Sequence, residues 1–171
     1  QQPPSPGSKT FRAVAVALAG DDGLLGRGER LVDVFPEAAA TAGPRASEIT
    51  VEDCLRMSTG HHEDTLDTVP GLLGSGDGAA ALFLAAEPEH EPGSWFVYHN
   101  GASLMLALAV QRRTGQRLLH YLRPRLLEPL GITSASWRSA AGGDLGFSGL
   151  HTTTDAVARL GVLLLNDGVW Q

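Results

Sequence analysis

Apolar residues recur at helical spacing along most of this chain, and no segment alternates apolar and polar positions well enough to read as a half-buried strand. Ser8 can cap a helix from about Lys9 to Ala19, with Phe11, Val14 and Leu18 on one face and Gly20 ending it. Thr50, with Asp53 three positions on, is a capping-box variant that opens a short helix from about Val51 to Met57. Residues 61–78 carry Gly, Pro and Asp signals and read as an irregular loop. Ala79 to Ala86 has helix-forming composition. The clearest helix is Asn100 to Arg113, where Leu104, Ala107, Leu108 and Gln111 share helical spacing and Thr114-Gly115 closes it. Arg117 to Leu122 and Arg125 to Leu127 form another, interrupted by Pro124. Thr153 or Thr154 caps a last helix through Leu165, stopped by Asn166-Asp167-Gly168. The pattern predicts a mainly α fold.

Composition narrows the class. The 171 residues suffice for one domain with a sizeable core, and 43% hydrophobic content is ordinary for a soluble globular chain. Thirteen basic residues against nineteen acidic, a net charge of −6, argue against nucleic acid as partner. Arg117, Arg123 and Arg125 read as part of a solvated helix face. No apolar run reaches the roughly 18 residues of a bilayer span, and no charged-then-apolar leader precedes the first helix. The reading is a soluble chain without signal peptide or membrane partner. Cys54 has no second cysteine to pair with and reads as a buried small hydrophobe. Residues 1–7 are Pro-rich and lack apolar periodicity, so they read as a linker or cloning remnant, and 8–171 as the domain.

The segment Pro92-Gly93-Ser94-Trp95-Phe96-Val97-Tyr98-His99-Asn100-Gly101 places a Tyr-x-Asn triplet between a Pro-Gly turn and the long helix. With Ser8-Lys9-Thr10-Phe11, Phe35-Pro36-Glu37, Met57-Ser58-Thr59-Gly60-His61, Glu128-Pro129-Leu130-Gly131-Ile132 and Gly149-Leu150-His151-Thr152-Thr153-Thr154-Asp155 in order, it resembles the β-lactamase-like serine hydrolases. That family spans class C β-lactamases, penicillin-binding proteins and esterases. The resemblance implies an α/β parent with a central antiparallel sheet. It makes this chain a helical subdomain, cut at both ends and with most of the sheet missing. It also implies a site built on Lys9, Tyr98 and Asn100. The family's Ser-x-x-Lys spacing is broken, because Pro6 stands three residues before Lys9. Ser5 and Ser8 are the alternative hydroxyls, neither pre-set against the amine by helical spacing. Lys9 is the only lysine, so no Lys-Thr-Gly motif exists, and His99-Asn100-Gly101 overlaps the second motif.

Four of six histidines fall in the segments that the resemblance places at the cleft. His61, His62, Glu63, Asp64, His99 and His151 are candidate ligands for a divalent ion, zinc by default, although their spacing matches no established metal motif. The plain alternative is that they keep loops soluble. Tyr98 likewise is either a proton donor tuned by Lys9 or a packed tyrosine with its hydroxyl satisfied, and Asn100 is equally an N-cap. Three functions stay open. One is metal-assisted hydrolysis of activated esters or phosphate esters, in which a bound hydroxide replaces the serine. The second is serine-type esterase or β-lactamase activity through Ser5 or Ser8 with Lys9 and Tyr98. The third is a non-catalytic helical domain. Small-molecule substrates are the expected partners. Helix faces left without a sheet predict a homo-oligomer.

Overall fold

A computed structural model describes residues 7–140 and 142–170. Its centre is α6 (Asn100–Thr114), which is buried from Gly101 through Ala107 and again at Ala109 and Val110. A helix apolar on all sides must be enclosed, and α6 is. Around it pack α1 (Ser8–Asp21), α2 (Leu31–Val34), α3 (Val51–Arg56), α4 (Thr65–Thr68), α5 (Ala79–Ala85) and α7 (Leu118–Leu122). The final helix, α8 (Thr154–Leu165), buries Ala156 and Leu160.

Most predicted helices form, with differences at their ends. The buried face of α1 is Phe11, Ala15, Val16 and Ala19, with Val14 and Leu18 only half-buried. Ser8 does not cap it. Gly7 takes the cap position, and the Ser8 hydroxyl accepts the Leu150 N–H at 3.1 Å. The capping box of α3 forms as expected: Thr50 Oγ1 accepts the Asp53 N–H at 3.1 Å, and the Asp53 carboxylate accepts the Thr50 N–H at 2.9 Å. The expected loop 61–78 instead contains α4, because Asp64 caps it by accepting the Leu66 N–H at 3.1 Å. Pro124 is absorbed in a wide π-helical turn, Arg123–Leu127, where the Glu128 N–H reaches back to the Arg123 carbonyl at 2.9 Å. Arg117 is not simply a solvated residue: its guanidinium pairs with the buried Asp144. Cys54 is buried, as its pattern predicts, and burial pushes its thiol up.

The mainly α expectation needs correction. Between α7 and α8 the described residues form four strands, β1 (Ser136–Trp137), β2 (Ser139–Ala140), β3 (Gly143–Asp144) and β4 (Leu150–His151). They form two antiparallel pairs, β1 with β4 (Trp137 opposite Leu150) and β2 with β3 (Ala140 opposite Gly143). Strands of two residues are too short to display a period of two, so the sequence pattern is blind to them. The β3–β4 connection folds back onto α6 through Gly146. At φ +68 its position allows no side chain: a Cβ would lie 2.7 Å from Ala107 Cβ and 2.9 Å from the Ser103 carbonyl oxygen. Among the described residues no helix is long and apolar enough to cross a membrane.

Candidate active site

Three elements meet at one amine. Lys9, in the first turn of α1, donates from Nζ to the Asn100 side-chain oxygen at 2.7 Å and to the Phe147 carbonyl at 3.0 Å. Asn100 is the first residue of α6, and Phe147 follows Gly146 in the β3–β4 connection. The ammonium also lies 4.7 Å from the centroid of the Tyr98 ring, within cation–π range. Tyr98 itself is 53% exposed. Lys9 therefore meets both Tyr98 and Asn100, from which it is distant in sequence. An ammonium has three N–H groups, and protein acceptors take two of them here.

Asn100 is not the N-cap of α6. That role belongs to His99, fully buried, whose Nδ1 accepts the Ala102 N–H at 2.9 Å. Burial pushes this imidazole down to about 4, against a smaller opposing pull from Asp64. Asp64, 8% exposed, accepts the N–H groups of Asn100 (2.8 Å) and Gly101 (3.0 Å) besides that of Leu66. Burial alone would raise its carboxyl. The three N–H bonds outweigh that, with a further contribution from His99, and leave it below the usual carboxylate range.

The expected metal centre does not assemble. Among the described residues no group of three His, Cys, Asp or Glu side chains is placed to hold an ion. The donors are committed elsewhere. His61 is buried, with Nδ1 2.9 Å from Thr59 Oγ1 and Nε2 2.9 Å from the Ala86 carbonyl oxygen. His62 turns outward to stack on Trp95 beside His90. Glu63 is exposed, lining a shallow cavity with His61 and His62. His99 and Asp64 hold helix ends, and His151 sits apart on β4, paired opposite Ser136. The two hydroxyl candidates fare differently. Ser8 is 1% exposed and adjacent to Lys9 on a helix, where neighbours do not face each other. Ser5, with Pro6, lies outside the described residues.

The sequence reading missed Phe147, which acts through a backbone carbonyl and so leaves no side-chain signal. It also assigned Asp64 to a metal rather than to a cap, although an Asp before a short helical run is a cap signal.

Lys9 and Tyr98 thus meet beside Asn100, at the start of the central helix. The Beta-lactamase family profile matches residues 7–170, and the chain belongs to that family. Solved structures agree on the fold. The octameric penicillin-binding protein homologue from Pyrococcus abyssi matches with a TM-score of 0.77 at 16% identity, over 98% of this chain and 45% of its own. A putative 6-aminohexanoate-dimer hydrolase from Bacillus anthracis gives 0.77 at 18%, over 99% and 49%. The D-amino acid amidase from Ochrobactrum anthropi gives 0.75 at 16%, over 99% and 56%. This chain therefore spans about half the length of the structures it matches. No curated protein is close enough in sequence to count as a relative. The likeness covers nearly the whole chain, so the mainly α expectation gives way to a β-lactamase-like arrangement of helices with antiparallel strands.

Proposed function

We propose that this chain forms the proton-handling wall of a hydrolase that cleaves activated ester or amide bonds of small molecules. The observation that carries the reading is the Lys9 ammonium, held between Asn100 and Phe147 under the exposed Tyr98. The Tyr98 hydroxyl, beside this amine, is suited to give a proton to a leaving group and take one back from water. With Pro6 at the position three before Lys9, the attacking oxygen is that of water. It bonds to the acyl carbon while the leaving-group bond breaks. The leaving group takes the Tyr98 proton, and the water proton restores the phenol.

Phosphate-ester hydrolysis by a bound ion needs a ligand set that the described residues do not assemble, so the reading rests on acyl substrates. The amidase and the dimer hydrolase among the structural neighbours support that choice of substrate class. Hydrolysis of p-nitrophenyl acetate and of a D-amino acid p-nitroanilide, each with and without chelator, tests it. Turnover above buffer that persists in chelator is the expected result. Turnover abolished by chelator and restored by zinc would reinstate the metal route and defeat this one.

A further inference from the structure

Lys9 is only as well placed as the oxygen that receives it, and Asn100 is placed by Asp64. One Asp64 carboxylate ties the start of α4 to the start of α6, taking the Leu66 N–H in the first and the Asn100 and Gly101 N–H groups in the second. These are N–H groups that a helix cannot satisfy internally, and a carboxylate is favoured there by the helix dipole. The two helix starts lie so close that a Cβ on Gly101 would sit 1.9 Å from Thr65 Oγ1. His99 Nδ1 lies 3.4 Å from the Asp64 carboxylate, a charged pair only when the imidazole is protonated, and here that nitrogen accepts the Ala102 N–H.

We propose that Asp64 is a positioning residue of the Lys9 site, holding the first turn of α6 so that the Asn100 side-chain oxygen meets the Lys9 ammonium. Two carboxylate oxygens, both acceptors, suit three N–H donors. An amide would leave one leg without an acceptor and set its own NH₂ against an N–H. Asp64 acts through Asn100 and not on a substrate. The functional meaning of this role rests on the reading of Lys9 as the proton-handling amine, whereas its test does not.

Lys9 is the only lysine in the chain, so lysine labelled with ¹³C at Cε gives one NMR signal. Asp64→Asn and Asn100→Ala should each move that signal, and the double variant should read as Asn100→Ala alone, because the first change works only through the second residue. Asp53→Asn, which removes the cap of α3, should lower thermal stability and leave the Lys9 signal in place. Additive shifts in the double variant, or a wild-type signal in Asp64→Asn, would overturn the proposal. Should Asp64→Asn fail to fold, Asp64→Glu keeps the charge and moves the carboxylate by one methylene. A displaced Lys9 signal there supports the proposal and an undisplaced one defeats it. The signal is read without turnover, so an inactive chain sinks the hydrolase reading alone.

Discussion

Gly146 lies against Ala107 with no space for a methyl group, and the next residue offers its carbonyl to Lys9. The close approach of the β3–β4 connection to α6 is thus also what brings the Phe147 oxygen to the amine. Gly146→Ala should cost about 1–3 kcal/mol through a left-handed backbone and a backbone clash. It should also weaken the Lys9 site. Thermal unfolding by circular dichroism reads the first effect. An unchanged melting temperature would show that the connection has room to move.

Arg12 is buried at 3% exposure, with Nη2 reaching Ser103 Oγ at 3.3 Å while Nε and Nη1 have no partner among the described residues. Burial pushes the guanidinium down to about 10. An under-compensated buried charge is a cost that an apolar side chain of similar length avoids. Arg12→Met should therefore stabilise the chain, on the order of 1–4 kcal/mol, seen as a higher urea midpoint. A lower midpoint would mean that the guanidinium has partners in solution.

The buried neutral His99 sets a pH dependence with a definite sign. Its folded value is about 4 against 6.5 for the free side chain, so the unfolded chain binds the extra proton between those limits. Its contribution to stability is complete above about pH 6.5 and is lost as pH falls toward 4. His61, also lowered mainly by burial, adds in the same direction. Melting temperature should fall across that window, and His99→Asn should flatten the slope. An equally steep slope in the variant would assign the titration elsewhere.

The sequence made the long helices legible because α1, α6 and α8 are long enough to show their period, and the α3 capping box is a local signal in Thr50 and Asp53. It hid the strands because each is two residues long. It also misread the acid–imidazole cluster, since residue type alone cannot separate a ligand from a cap. Asp64 and His99 spend their acceptors on backbone N–H groups, and His61 spends both nitrogens on Thr59 and Ala86. Their neighbours in the chain single out Lys9, Tyr98 and Asn100, which the structure brings together, whereas the carbonyl of Phe147 leaves no such signal.

Val157, Val162, Leu164 and Leu165 of α8, with Val169 just beyond it in the chain, are exposed apolar residues. Exposed apolar surface of this kind favours association with a second copy. Light scattering should report a dimer or larger species whose share rises with concentration, and Leu165→Glu should shift it toward monomer. A monomer at all concentrations would contradict self-association through these residues.

The central claim is that Lys9 and Tyr98 together carry proton transfer, and kcat/KM for an activated ester tests it most directly. Lys9→Ala and Tyr98→Phe should each lower kcat/KM on the order of 10²-fold, to the limit of detection, and the double variant should fall no further. Either single variant retaining wild-type kcat/KM would contradict the account.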